Sequence, residues 1–178
     1  MKELDEIIAK YNLQTQNKIN FGTINNFQVC LKVDAFSALS CVGQISCFLD
    51  NKIGEINSLL KDNAKELGIL NYKISHDGIF IVVKTFTMKG AVKNLEKSLD
   101  FITNKLSELG FDGSKCPKCG KELVNKKELN YLNPLINTNF SMHVCEDCYN
   151  HILEEENKKE EEYKKSPNNY LKGTLGAF

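Results

Sequence analysis

Two Cys-x-x-Cys pairs set the strongest constraint on what this chain can fold into. The first reads Cys116-Pro117-Lys118-Cys119-Gly120 and the second Cys145-Glu146-Asp147-Cys148. This is the spacing of a four-thiolate zinc site: each pair places two sulfurs on one tight turn, and two facing turns complete a tetrahedron. Gly120 follows the first pair directly, where a knuckle turn needs a residue that tolerates positive φ. The competing chemistry is a redox dithiol, which sits singly between a strand and a helix of a βαβ unit. Here there are two pairs, and the first follows a helical pattern, so Zn2+ held by Cys116, Cys119, Cys145 and Cys148 is the preferred reading. A site closed by four cysteines leaves no position for water or substrate and is structural by default. His143 and His151 flank the second pair closely enough to stand in for a thiolate. With four cysteines already at the right spacing, they read as a strand-end and a helix-surface histidine.

The other three of the seven cysteines, Cys30, Cys41 and Cys47, lie in apolar alternating stretches, where a free thiol behaves as a small hydrophobe. An odd remainder beside a thiolate metal site points to a reducing compartment. The N-terminal residues carry no apolar secretory region, and no run approaches the roughly 18 apolar residues of a membrane span. A cytoplasmic location, at the inner face of a membrane or away from it, is therefore expected. Lys and Arg together number 23, as do Asp and Glu, and all the basic residues are lysine. Residues 1–110 hold 13 Lys against 12 carboxylates and residues 111–178 hold 10 against 11, so neither half attracts phosphates in bulk. Arginine, the preferred bidentate reader of phosphates and guanine, is missing altogether.

In chain order, Leu4, Ile7, Ile8 and Tyr11 recur at helical spacing, and the polar segment Asn12 to Asn20 reads as a linker. Phe27, Val29, Leu31 and Val33 alternate with polar residues, as do Leu39, Cys41, Ile45, Cys47 and Leu49. These form the two strands of a long hairpin turning around Ala35-Phe36, with Gly43 marking a bulge. Asp50 or Asn51 caps a helix through Ile53, Ile56, Leu60 and Leu67 that Gly68 closes. A second hairpin turns at His76-Asp77-Gly78 and continues through the apolar run Ile79 to Phe86. A second helix carries Val92, Leu95, Leu99, Ile102, Leu106 and Leu109 on one face and ends at Gly110. This doubled ββα pattern predicts an α+β domain over 1–110, an antiparallel sheet with helices on one face.

Residues 114–150 read as a zinc ribbon with strands at Glu122 to Val124 and Phe140 to Val144, joined by a loop from Asn130 to Asn139. So small a module draws its folding free energy from the metal, on the order of 10 kcal/mol, and chelation is expected to melt it alone. Residues 151–165 form a charged helical spacer carrying Glu155–Lys159, Glu160–Lys164 and Glu161–Lys165 as i,i+4 pairs. Residues 166–178 turn apolar and small, as at the start of a membrane segment, and are expected to pack little against the rest.

No nucleophile–base pair, Gly-rich phosphate loop or metalloprotease helix motif is readable, so no enzymatic activity is expected. Together, the four cysteines and the Asn169-to-Ala177 phrase resemble a loosely defined set of uncharacterised bacterial membrane proteins. In these, an N-terminal α+β domain, a four-cysteine zinc ribbon and an acidic helix precede a bundle of transmembrane helices. The resemblance implies a membrane-proximal cytoplasmic module that engages a protein partner or itself, with a membrane segment following Phe178. The alternative is a nucleic-acid-binding zinc ribbon, disfavoured because such ribbons need a positive face with aromatics.

Overall fold

Among the described residues, alternation and helical periodicity combine into an α+β fold with four helices and a six-stranded antiparallel sheet. The computed structural model describes residues 2–33 and 40–165. Helix α1 (Lys2–Tyr11) leads into β1 (Gln14–Gln16), β2 (Ile19–Ile24), β3 (Phe27–Val33) and β4 (Ser40–Ser46). Then come α2 (Ile53–Leu67), β5 (Ile69–Ser75), β6 (Gly78–Lys84), α3 (Met88–Glu108), β7 (Lys127–Leu132), β8 (Asn139–Val144) and α4 (Glu146–Lys165). The large sheet has the order β1-β2-β3-β4-β6-β5, and β7-β8 forms a separate two-stranded sheet.

The segment expected as a linker is instead strand. Asn17 and Lys18 (φ 52° and 63°) turn β1 into β2, and Asn25 and Asn26 (φ 49° and 72°) turn β2 into β3. Two successive left-handed residues make the tight hairpin turn that matches strand twist. Asparagine reaches that region without glycine, so the familiar Asn-Gly signal is missing from both turns. Strand β1 is polar and exposed throughout, as suits a short edge strand, and so shows no alternation.

Several local expectations are corrected by tertiary packing. The register runs through Gly43 without a bulge, pairing it with Leu31 on one side and Ile81 on the other, and the irregularity lies in β5 between Ile69 and Asn71. Gly43 is there for space: a Cβ would lie 2.8 Å from Leu95 Cδ1 and 3.2 Å from Leu99 Cδ2. Neither Asp50 nor Asn51 caps α2. Asp50 is itself left-handed, and the helix starts after Lys52 with no side-chain cap. Strand β6 stops at Lys84, leaving Phe86 99% exposed in the approach to α3. That helix is capped by Thr87, whose hydroxyl accepts from Gly90 N at 3.0 Å. Leu109 at its end is partly exposed rather than part of the buried stripe. The turn expected around Ala35-Phe36 and the tail 166–178 lie outside the described residues.

Both faces of the central strands are covered. Phe27, Val29 and Leu31 of β3, Ile45 of β4 and Ile79, Ile81 and Val83 of β6 face Ile56 and Leu60 of α2 and Val92, Leu95, Leu99 and Ile102 of α3. The alternate residues Cys30, Val42 and Val82 point the other way and are buried with Ile136 and Phe140, with Tyr131 and Leu135 packed alongside. That second cover is the β7-β8 hairpin. Every residue of β4 is consequently buried. We predict that Gly43→Ala, which forces a methyl into the α3 contact, lowers unfolding free energy by about 1–3 kcal/mol. A chemical denaturation midpoint that does not move would contradict the close helix–sheet approach.

Candidate metal centre

The first knuckle follows α3 through a short connection braced by Asp112, whose carboxylate accepts from Ser114 N (2.9 Å) and Ser114 Oγ (2.6 Å). The knuckle closes with Gly120 N donating to Cys116 O and Cys116 N donating to Lys121 O, both at 2.8 Å. Gly120 has φ 72° and lies against the Phe48 ring, where a Cβ would come within 2.5 Å of Cδ1. Two independent constraints, backbone conformation and contact with the Phe48 ring just after β4, therefore require glycine. The second knuckle is built differently. Cys145 is the one residue between β8 and α4, α4 begins at Glu146, and Cys148 lies in its first turn with Tyr149 N donating to Cys145 O at 3.0 Å. The charged helix expected over 151–165 is thus part of a longer helix that starts inside the cysteine pair.

These two turns bring Cys116, Cys119, Cys145 and Cys148 together, with all four sulfurs within 4.8 Å of one another. The Cys119–Cys145 separation is 3.7 Å. A tetrahedron of sulfurs about 2.3 Å from a central ion has edges of about 3.8 Å, so the cluster fits a metal ion. Cys145 N also donates to Cys116 Sγ at 3.3 Å. Burial raises the Cys116 pKa, but the N–H groups of Cys145, Cys119 and Lys118 outweigh it and hold the thiol below its usual range. Burial pushes Cys119 and Cys148 up, and for Cys148 the neighbouring sulfurs add to it. Several thiolates this close repel one another, and a cation among them removes the penalty. The start of α4 adds the positive end of a helix dipole.

Neither flanking histidine joins the cluster. The His143 ring is half-buried, with its pKa lowered by burial and by Lys126, and exposed His151 lies 3.4 Å from Glu155. His76 is in the β5–β6 turn, where its carbonyl accepts from Leu49 N at 2.7 Å. Burial also raises Cys30 to about 11 and Cys47 to about 12, so neither is a reactive thiol.

Of the two ribbon strands expected, Phe140 to Val144 is present as β8, but the first is displaced. Glu122 makes only a single bridge, to Lys115, while Lys127–Leu132 is the strand that pairs with β8. Asn130, Tyr131 and Leu132, expected in the loop, are in that strand, so residues 133–138 make the connection.

Several polar contacts dock this module on the sheet, among them Lys32 Nζ donating to Thr138 Oγ1 at 3.1 Å, and none had a readable partner in the sequence. The Gln28 side-chain amide donates to His143 O (2.9 Å) and accepts from His143 N (2.6 Å), as a neighbouring strand's peptide would. Cys30 Sγ donates to Ser141 O at 3.1 Å. Lys118, between the first two cysteines, pairs at 2.5 Å with Asp77, a carboxylate only 8% exposed that Ser75 Oγ also reaches at 2.5 Å. The polar positions of β3 thus bear the ribbon, a role that alternation alone reads as solvent-facing.

Among the described residues no helix is long and apolar enough to cross a membrane. No protein-family model, curated protein or solved structure matches the chain.

The Asp77–Lys118 pair makes a pH-dependent link between knuckle and sheet. Burial alone would raise the Asp77 pKa, but the hydrogen bonds from Lys118 and Ser75 bring it below the ordinary carboxylate value of 3.8. A depressed folded-state pKa means that the stabilisation is present above that ordinary value and is lost as pH falls through the lower folded one. We expect Asp77→Asn to cost about 1–3 kcal/mol near neutral pH, with the gap to the parent narrowing below pH 4. A gap that is constant with pH in paired denaturation curves would refute the link.

Proposed function

We propose that the protein is a non-enzymatic module stapled by one Zn2+ on Cys116, Cys119, Cys145 and Cys148. In this reading it engages a protein partner or a second copy of itself at the cytoplasmic face of a membrane. The observation that carries the proposal is the closed four-sulfur cluster at the root of an exposed helix. All four tetrahedral positions are protein thiolates, which suits a structural ion and leaves no place for substrate. Zinc suits the donor set because soft thiolates in a tetrahedral arrangement select it over the hard cations. The cluster also fixes the first turn of α4, whose residues from Leu153 onward are all exposed. A helix held at one end and solvated along its length suits a spacer between the folded body and whatever follows. The membrane-proximal part of the reading rests on the resemblance of the Asn169-to-Ala177 phrase.

Elemental analysis of the purified protein is expected to give one zinc per chain, and Cys145→Ser to lose it. The packing changes what chelation should do. Because β8 covers Cys30, Val42 and Val82 of the sheet, metal removal is expected to lower the thermal midpoint of the whole body rather than melt the ribbon alone. Metal-free protein of undiminished stability would sink the staple.

The placement is tested by fractionating cells that express the native gene product. Recovery in the detergent-extracted membrane fraction is expected. Wholly soluble recovery, together with a sub-micromolar nucleic-acid complex at physiological salt, would replace this reading with the nucleic-acid one.

A further inference from the structure

The docked hairpin leaves a groove of about 840 Å³ beside β8, between the ribbon and the β2–β3 part of the sheet. That volume lies within the range of sites that take small organic ligands. Its apolar surface comes from Phe21 on the sheet and from Leu123 and Met142 on the ribbon. Thr23, Asn125 and Ser141 supply hydrogen-bonding groups along it. No carboxylate lines it, and its charged side chain is Lys126, next to the His143 imidazole.

The charge is not spoken for. Lys115 and Lys127 are paired with Glu122 and Glu146, whereas Lys126 pairs with no carboxylate among the described residues. The His143 imidazole lines the same end of the groove and offers a ring N–H as a hydrogen-bond donor. Glu128, which lies across the hairpin from His143, lines a smaller recess beyond Ser141 together with Phe140 and Asn139. One corner of the groove is therefore a cation plus an imidazole N–H beside apolar surface. Both walls are held in register, since Gln28 grips the His143 peptide at both ends.

We propose that this groove binds a small organic anion, its acidic group held at the Lys126–His143 corner and its apolar body laid on Phe21, Leu123 and Met142. The inference is independent of the partner and location proposed above. It requires only that the ribbon be docked on the sheet, as it is in this structure.

The test is an amide NMR titration of the full metal-loaded protein with benzoate and phenyl phosphate, against neutral benzamide and cationic benzylamine. The two anions are expected to move the signals of Thr23, Ser141, Met142 and His143, and to bind at least about tenfold more tightly than benzamide, with benzylamine weakest. Lys126→Glu is expected to weaken anion binding by about tenfold or more, while Lys73→Glu, the same charge change on exposed β5, leaves it unaltered. Lys126→Gln serves if the glutamate variant loses signal dispersion. Equal binding of all four probes, shifts centred elsewhere, no shifts at millimolar probe, or no effect of either Lys126 variant would each overturn the proposal.

Discussion

Four sulfurs within 4.8 Å of one another are the arrangement on which the rest of this structure leans. As thiols they pack as small apolar groups, and as thiolates they repel. Only a cation makes the ionised cluster favourable, and its binding free energy becomes folding free energy for whatever the sulfurs join. Here they join three things: the connection after α3, the end of β8 and the first turn of α4. The cluster fastens a hairpin that has little else to hold it, since an isolated two-stranded sheet is marginal in water.

The hairpin in turn completes the large sheet. Strands β3, β4 and β6 carry apolar residues on both faces, and three helices cover only one of them. Cys30, Val42 and Val82 would otherwise face water. Burying them against Ile136 and Phe140 is worth on the order of 1.5–3 kcal/mol for each large side chain. The polar contacts add orientation. Gln28 satisfies the His143 peptide, which would otherwise be an unpaired edge group under the hairpin. Lys118 and Asp77 bring opposite charges together where burial strengthens them. Ribbon and sheet are thus complementary halves of one packing problem.

Much of this was legible in the sequence because it is periodic. The α3 stripe, the alternation of β3 and the two Cys-x-x-Cys pairs each repeat a spacing that one kind of structure satisfies. What escaped was what does not repeat. Polar Gln14–Gln16 forms a strand only because β2 offers an edge, and Asn25-Asn26 turns a hairpin without glycine. β7 was displaced because Glu122 to Val124 looks as strand-like as Lys127–Leu132, and only the Phe140 and Met142 positions of β8 decide between them. The docking residues were least legible of all. Gln28, Cys30 and Lys32 look like the wet side of a half-buried strand, and nothing nearby in sequence announces partners more than a hundred residues away.

The same reasoning explains why a helix as polar as α4 is stable. At 20 residues it is about 30 Å long, and none of its residues is fully buried. Free helices of this length are marginal, because the first turn fixes several residues for one hydrogen bond. In this chain the first turn is made elsewhere: Cys145 and Cys148 tie it to the cluster, and Tyr149 and Ile152 pack beside Cys116 and Val144. Nucleation is thereby supplied by the cysteines, and propagation needs only weak local support. Of the expected pairs, Glu160–Lys164 lies at 3.9 Å and provides a few tenths of a kcal/mol, while Glu155 lies beside His151 instead. Acidic residues at Glu146 and Asp147 and basic ones at Lys164 and Lys165 oppose the helix dipole at both ends. A helix with no core contact of its own along most of its length therefore depends on the four sulfurs as fully as the hairpin does.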